Sequence, residues 1–343
     1  MNKLIDQLDQ KLLQSLEKPY PVGLTQGKMG ICIYFYHLSR IEKEDKYKMI
    51  AGQLLDDILE NLSPELPISV ENGLAGIALG ITHLIKAGFV EGDVNELLED
   101  FDNIIFKRLA FLRDHTSHPK SELLHLLFYL SVRLSAQTDE NGRYIFQELI
   151  IKTLNNFVSG ITDDFFDESY SFSVYHYHVP LLACIFSRLL KQDFYNERIY
   201  KILEELELKI LFRVPLLHAN RLYLLCGILP LAPYMRNPHW KEYADLLRRE
   251  ISLPIIFERE MKNKHIFLSN GLSMVYLLLY CLEKNHPEYR IAYNPQDFYD
   301  RIVSSEAWDS LFRKGHFFNI HEGLLNGFPG VRLLLHHIQK QNA

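Results

Sequence analysis

Asn72-Gly73-Leu74-Ala75-Gly76-Ile77 decides the fold: two glycines three residues apart open a run of mostly apolar residues. The same form returns at Gln26-Gly27-Lys28-Met29-Gly30-Ile31 and at Asn326-Gly327-Phe328-Pro329-Gly330-Val331. Asn270-Gly271-Leu272-Ser273-Met274-Val275 keeps the first glycine and carries Met in place of the second. A recurrence of this length is the signature of a repeat architecture. The first glycines stand at 27, 73, 271 and 327, so the outer intervals are 46 and 56 residues. The middle interval of 198 residues has room for three degenerate copies. Candidates fall near Leu123-Leu124-His125-Leu126, at Tyr175-His176-Tyr177-His178-Val179-Pro180-Leu181, and at His218-Ala219-Asn220-Arg221-Leu222-Tyr223-Leu224. Seven units then fill nearly the whole chain.

Within a unit, the small polar residue before the first glycine is expected to be the N-cap, accepting a hydrogen bond from an amide of the first turn. Pro180 and Pro329 fall in that turn, where a missing N–H costs little. The runs that follow, Ile31 to Leu38, Ile77 to Ile85 and Val275 to Leu282, are apolar almost all round and predict buried helices. The other half of each unit carries a single stripe. Residues 44–62 place Ile50, Leu54, Ile58 and Leu62 on one face, and residues 94–109 do so with Val94, Leu97, Leu98, Phe101, Ile104 and Ile105. Residues 193–212 repeat it with Ile199, Ile202, Leu203, Leu206 and Ile210. One-striped helices form an outer layer with charge toward water. The pattern predicts an all-α fold, an α/α toroid of about seven helical hairpins with apolar inner and amphipathic outer helices, spanning residues 1–343 as one domain. An open solenoid would need polar terminal repeats, whereas the first and last inner runs are as apolar as the middle ones.

A hydrophobic share of 48% suits a large packed core, and a net charge of −6 without any basic tract gives no footprint for nucleic acid. The apolar runs fall far short of the ~18 residues of a membrane span. Met1-Asn2-Lys3-Leu4-Ile5-Asp6-Gln7 reads as the start of an amphipathic helix rather than a signal peptide, so a cytoplasmic protein is expected. Cys32, Cys184, Cys226 and Cys281 lie in apolar helical stretches, contain no CxxC pair, and read as core residues.

In such a toroid the inner-helix N-termini converge on one rim, where backbone N–H groups favour negative charge. Gln26, Asn72, His176, His178, Asn220, Arg221, Ser269, Asn270 and Asn326 are the residues placed there. The glycine-pair repeat, the unit count and the final Gly327-Phe328-Pro329-Gly330 resemble the lanthionine cyclase (LanC-like) family. That resemblance implies a toroid whose zinc ion activates a cysteine thiol of a ribosomally made peptide for addition to a dehydrated Ser or Thr. It also implies zinc ligands at three positions, a Cys at 219 and a Cys-His pair at 269–270, which here are Ala219, Ser269 and Asn270. Ser and Asn are poor zinc ligands beside thiolate and imidazole. No cofactor is therefore expected, and zinc only with ligands other than the family's.

His176 stands where the resemblance implies an acid or base, with Tyr177 and Pro180 replacing the two glycines. His176 and His178 also form a His-x-His pair, for which His125, His218, His321 or Glu322 would have to supply a third ligand. Two further stretches lead to the same rim. Asp163-Asp164-Phe165-Phe166-Asp167-Glu168-Ser169-Tyr170 reads as a solvated loop able to receive a basic or amphipathic peptide, and Asp114-His115-Thr116-Ser117-His118-Pro119 precedes the third inner helix.

The favoured reading is a LanC-like protein that binds a precursor peptide or a co-encoded modifying enzyme without zinc-dependent catalysis. The alternatives are an active thioether cyclase with a rebuilt site, or a carbohydrate-active α/α barrel. The latter needs two carboxylates roughly 5–10 Å apart, and among Glu71, Glu122 and Glu322 no pair is set by spacing.

Overall fold

A computed structural model describes residues 2–17, 20–111, 119–311 and 316–342, among which there are helices, turns and loops and no strand. The chain divides into two compact units. The first comprises Met1–Phe111, Asn263–Leu268 and Pro295–Ala343, the second Leu112–Lys262 and Ser269–Asn294. The first unit opens with α1 (Asn2–Leu16), α2 (Lys28–Glu42), α3 (Asp45–Glu60), α4 (Leu74–Lys86), α5 (Val94–Leu97) and α6 (Glu99–Phe111). The second unit holds α7 (Lys120–Ala136), α8 (Glu140–Ser159), α9 (Val179–Lys191), α10 (Asn196–Leu211), α11 (His218–Ile228), α12 (His239–Arg249), α13 (Leu253–Ile255) and α14 (Leu272–Asn285). The chain then returns to the first unit with α15 (Pro295–Val303), α16 (Glu306–Ser310), α17 (His316–Asn319) and α18 (Phe328–Asn342).

The two helix types expected from the sequence are both present. α2 buries nine residues on every side, from Met29 to Leu38, and α4 buries nine from Leu74 to Leu84. α3 buries one stripe of Tyr47, Ala51, Leu54, Leu55 and Ile58, and α10 one of Ile199, Ile202, Leu203, Leu206 and Ile210. In the first unit the all-round buried helices pack in the order α18, α2, α4, with α3 against α2 and α15 against α18. In the second unit the order is α7, α9, α11, α14, each of the first three backed by α8, α10 or α12. No helix among the described residues is long and apolar enough to cross a membrane.

Three details differ from the sequence expectation. The pattern over 94–109 is broken after Leu97, which is exposed, and the core contacts come from Leu98, Phe101 and Ile105. Leu62 lies beyond the end of α3. Cys281 is exposed on α14, whereas Cys32 is buried and directs its thiol to the Ala51 carbonyl at 3.3 Å.

The N-caps also differ, and for a reason that explains the glycine pair. Gly27, Gly73 and Gly271 are themselves the caps, in extended conformation, and no side chain accepts from the first turn. The preceding loop instead curls back over the helix start. Lys28 N–H donates to Pro21 O (2.7 Å), Leu74 N–H to Pro67 O (2.8 Å) and Phe328 N–H to His321 O (3.0 Å), each seven positions back. A Cβ on the first glycine would sit 2.0 Å from Pro67 O at position 73 and 2.2 Å from His321 O at 327. A Cβ on the second would sit 2.0 Å from Val70 O at 76 and 2.1 Å from Leu324 O at 330. Both glycines are thus required by one backbone, the loop above them, rather than by a neighbouring helix. The loops also stack: Gly323 lies against Thr25 and Gln26, and Gly23 against Glu71 and Asn72.

A buried polar network ties the first unit together across its sequence extremes. Asp9 of α1 accepts from Arg332 of α18 at 2.5 Å and from Tyr34 (2.7 Å) and Tyr47 (2.9 Å). Arg332 also reaches Tyr34 and, at 3.2 Å, Glu42. The Asp9 and Arg332 side chains are 6% and 7% exposed, so water contributes little, and each charge depends on the other.

Candidate functional site

The start of α11 is where the resemblance implies the first zinc ligand. Ala219 occupies that position with its methyl group fully buried. Four successive N–H groups of this helix start are bound by two carboxylates from distant segments. Glu168 accepts from Leu216 N–H and, at 3.3 Å, from Leu217 N–H, while Glu260 accepts from His218 N–H (2.6 Å) and Ala219 N–H (3.0 Å). Positive helix N-termini attract anions, and here the anions are the protein's own. Glu168 also receives Asn220 Nδ2–H at 2.6 Å, with Asn220 wholly buried and its Oδ1 left unpaired.

The segment carrying Glu168 is not a free loop. Phe165 and Phe166 are buried, whereas Asp163, Asp164, Asp167 and Tyr170 around them face water and Glu168 is half-buried. Phe165 stacks on His178, the cap of α9, with ring centroids 5.8 Å apart, and His125 meets the same imidazole edge-on at 6.5 Å. His178 Nδ1 is buried without a partner. Burial, with His125 and His176 adding to it, pushes the His178 pKa down to about 4, so this ring is neutral at physiological pH. His176 is exposed on the turn ahead of α9. That turn is fixed to the sixth repeat by Val174 N–H donating to Ser269 O at 3.0 Å. Ser269 is buried, and Asn270 is half-buried with its Oδ1 unpaired.

The second unit thus brings His176, His178, Asn220, Ser269 and Asn270 onto linked segments. Arg221 faces elsewhere: it donates to Pro215 O (2.7 Å), Glu250 O (2.7 Å) and Leu216 O (3.3 Å), pinning the approach to α11. His218 accepts Ser252 N–H at Nδ1 (3.1 Å). In the first unit Gln26 and Asn72 are exposed on the stacked loops, and Asn326 is half-buried with an unpaired Oδ1. His321 is sandwiched between Phe267 and Phe317, and Glu322 accepts from Ser15 at 2.6 Å. The Asp114–His118 part of the other rim stretch lies outside the described residues. No group of three or more His, Cys, Asp or Glu among the described residues is arranged to hold a metal ion. The residues at the implied zinc site do not fit that ion: a methyl, a hydroxyl and an amide replace thiolate and imidazole.

Glu168 and Glu260 escaped the sequence reading. The acidic run around Glu168 was visible but pointed to solvent, and nothing in the local sequence of Glu260 marks it.

No protein-family model matches the sequence, and no curated protein matches it. Among solved structures, nisin cyclase is similar over 99% of this chain and 94% of its own, with a TM-score of 0.67 and 14% sequence identity. The fold is the α/α toroid of nisin cyclase. At that identity the likeness establishes a LanC-like architecture and not the activity.

Proposed function

We propose that this chain is a LanC-like protein of lanthipeptide-type modification that binds a precursor peptide or a partner modifying enzyme and does not carry out zinc-dependent cyclisation. One observation carries the reading: where nisin cyclase-like architecture would place thiolate and imidazole, this chain has Ala219, Ser269 and Asn270, and Glu168 and Glu260 occupy the start of α11. A helix start whose Leu217, His218 and Ala219 N–H groups already donate to two carboxylates is poorly placed to stabilise developing negative charge. His176 is the residue best able to move a proton, by its position and exposure. His178, Asn220, Ser269, Asn270 and, on the first unit, Gln26, Asn72 and Asn326 are the candidate contacts for a peptide. The same reading takes residues 1–343 as one toroid domain, supported by the extent of the match to nisin cyclase, and expects it to act in the cytoplasm.

The test titrates the purified protein with a dehydrated, cysteine-containing nisin precursor peptide while free thiol and zinc content are measured in the same sample. Binding with thiol unchanged and zinc well below one equivalent supports the reading. Stoichiometric zinc, or thiol loss with thioether formation, overturns it.

A further inference from the structure

Phe212-Arg213-Val214-Pro215-Leu216 connects α10 to α11 with an inverted alternation. Phe212 (81%), Val214 (39%) and Leu216 (80%) face water, while Pro215 is buried and Arg213 turns in, its guanidinium 5.4 Å from the Phe166 ring centroid. A half-buried arginine flanked by exposed apolar side chains departs from the usual partition. This exposure does not belong to a loose loop. The Glu168 carboxylate binds the Leu216 and Leu217 amides, Arg221 holds the Pro215 and Leu216 carbonyls, and the Tyr243 hydroxyl donates to Arg213 O. Tyr170, two residues beyond Glu168, is 106% exposed and lies within reach of the same place. Apolar side chains held out by a rigid backbone lose little entropy when covered, the property of a binding surface rather than of scattered exposure.

The charge beside the ledge selects what covers it. Asp163 is paired with Lys209 at 2.8 Å, but Asp164 and Asp167 are exposed and make no ion pair among the described residues. Those acids repel an anionic lipid surface, and the chain's net charge of −6 opposes a second copy. We propose that Tyr170, Phe212, Val214 and Leu216 form a docking ledge for a cationic amphipathic segment of another polypeptide, its apolar side chains on the ledge and its Lys or Arg against Asp164 and Asp167. This rests on the binding reading above only in taking the occupant to be a polypeptide.

The experiment uses the full chain, a fluorescent short peptide of Leu and Lys, and its Leu and Glu counterpart, read by anisotropy. The Tyr170→Ser/Phe212→Ser/Leu216→Ser variant changes exposed side chains only, and its thermal melt serves as the folding control. It should weaken Leu/Lys binding by about tenfold or more, and so should Asp164→Lys/Asp167→Lys, with the Leu/Glu peptide binding far less. Unchanged affinity in either variant overturns the ledge, as does equal binding of the two peptides. A concentration-dependent dimer lost in the triple variant, or ledge-dependent pelleting with anionic vesicles, also overturns it by naming a different occupant. Unchanged Leu/Lys affinity in the triple variant alongside tight precursor binding removes the ledge and leaves the proposed function standing. Ledge-dependent Leu/Lys binding with no precursor binding keeps the ledge and removes the precursor-peptide arm of the proposed function.

Discussion

Replacing Arg332 by Leu tests the part of the fold that joins its first and last helices. The substitution keeps an apolar stem of similar width but strips Asp9 of its 2.5 Å partner and Glu42 of its 3.2 Å partner. Asp9 keeps the Tyr34 and Tyr47 hydroxyls, so its carboxylate stays hydrogen-bonded yet uncompensated in a site 6% exposed. Removing one member of a buried pair costs about 3–5 kcal/mol, and two neutral hydrogen bonds of about 1 kcal/mol each do not offset that. Removing both charges, in Asp9→Leu/Arg332→Leu, avoids the stranded ion and should lie well above the Arg332→Leu variant in stability. Urea unfolding followed by circular dichroism gives all four corners of the double-mutant cycle, whose coupling term should exceed about 2 kcal/mol. An Arg332→Leu variant within about 1 kcal/mol of wild type, or a double variant no better than the worse single one, would refute the reasoning.

Gly73→Ala should destabilise by about 1–3 kcal/mol, since its Cβ meets the Pro67 carbonyl at 2.0 Å, whereas Gly52→Ala on α3 should cost little because its Cβ comes no nearer than 4.0 Å to the Tyr36 hydroxyl; paired thermal melts compare the two. Glu260→Ala removes the acceptor from two α11 amides and should cost about 1–3 kcal/mol at neutral pH, with Glu260→Gln recovering part, measured by chemical denaturation. Protonation of His178 gives a pH dependence. Its folded pKa near 4 lies below the unfolded value, so the unfolded chain holds the extra proton between about pH 6.5 and 4 and stability falls as pH drops through that window. Between pH 7.5 and 5 the ideal loss is about 2 kcal/mol, halved to about 1 because the residue is only half-buried. The His178→Asn variant should show that much less acid sensitivity, and an unchanged pH profile of unfolding free energy would count against a buried neutral ring.

The helix order was legible because each signal was local. Gly73 and Gly76 mark a helix start, and the apolar runs after them announce burial on all sides. Even α9 and α11, which lack the glycine pair, begin near the positions that spacing assigned to them. The caps were misread because a small polar residue before a glycine normally implies a side-chain acceptor, while here the acceptor is a carbonyl seven residues back. The site was less legible because its contacts are made through space. Glu260 reaches His218 and Ala219 from 41 or 42 residues away, and Glu168 reaches Leu217 across 49. His176 was placed by analogy and proved exposed, while the strongly perturbed imidazole belongs to His178, because Phe165 covers it and not its neighbour.

The pairing of Asp9 with Arg332 spans 323 positions, and the whole of the second unit lies between the first and last segments of the first. At ribosomal speeds of about 5–20 residues per second, Asp9 waits roughly a quarter of a minute to a minute for its counter-ion to be made. Most of the second unit emerges in that interval as one continuous stretch, from Leu112 to Lys262, and has time to settle alone. The opening helices must meanwhile stay provisional, so the nascent chain rather than the finished protein is the form most exposed to chaperones and proteases.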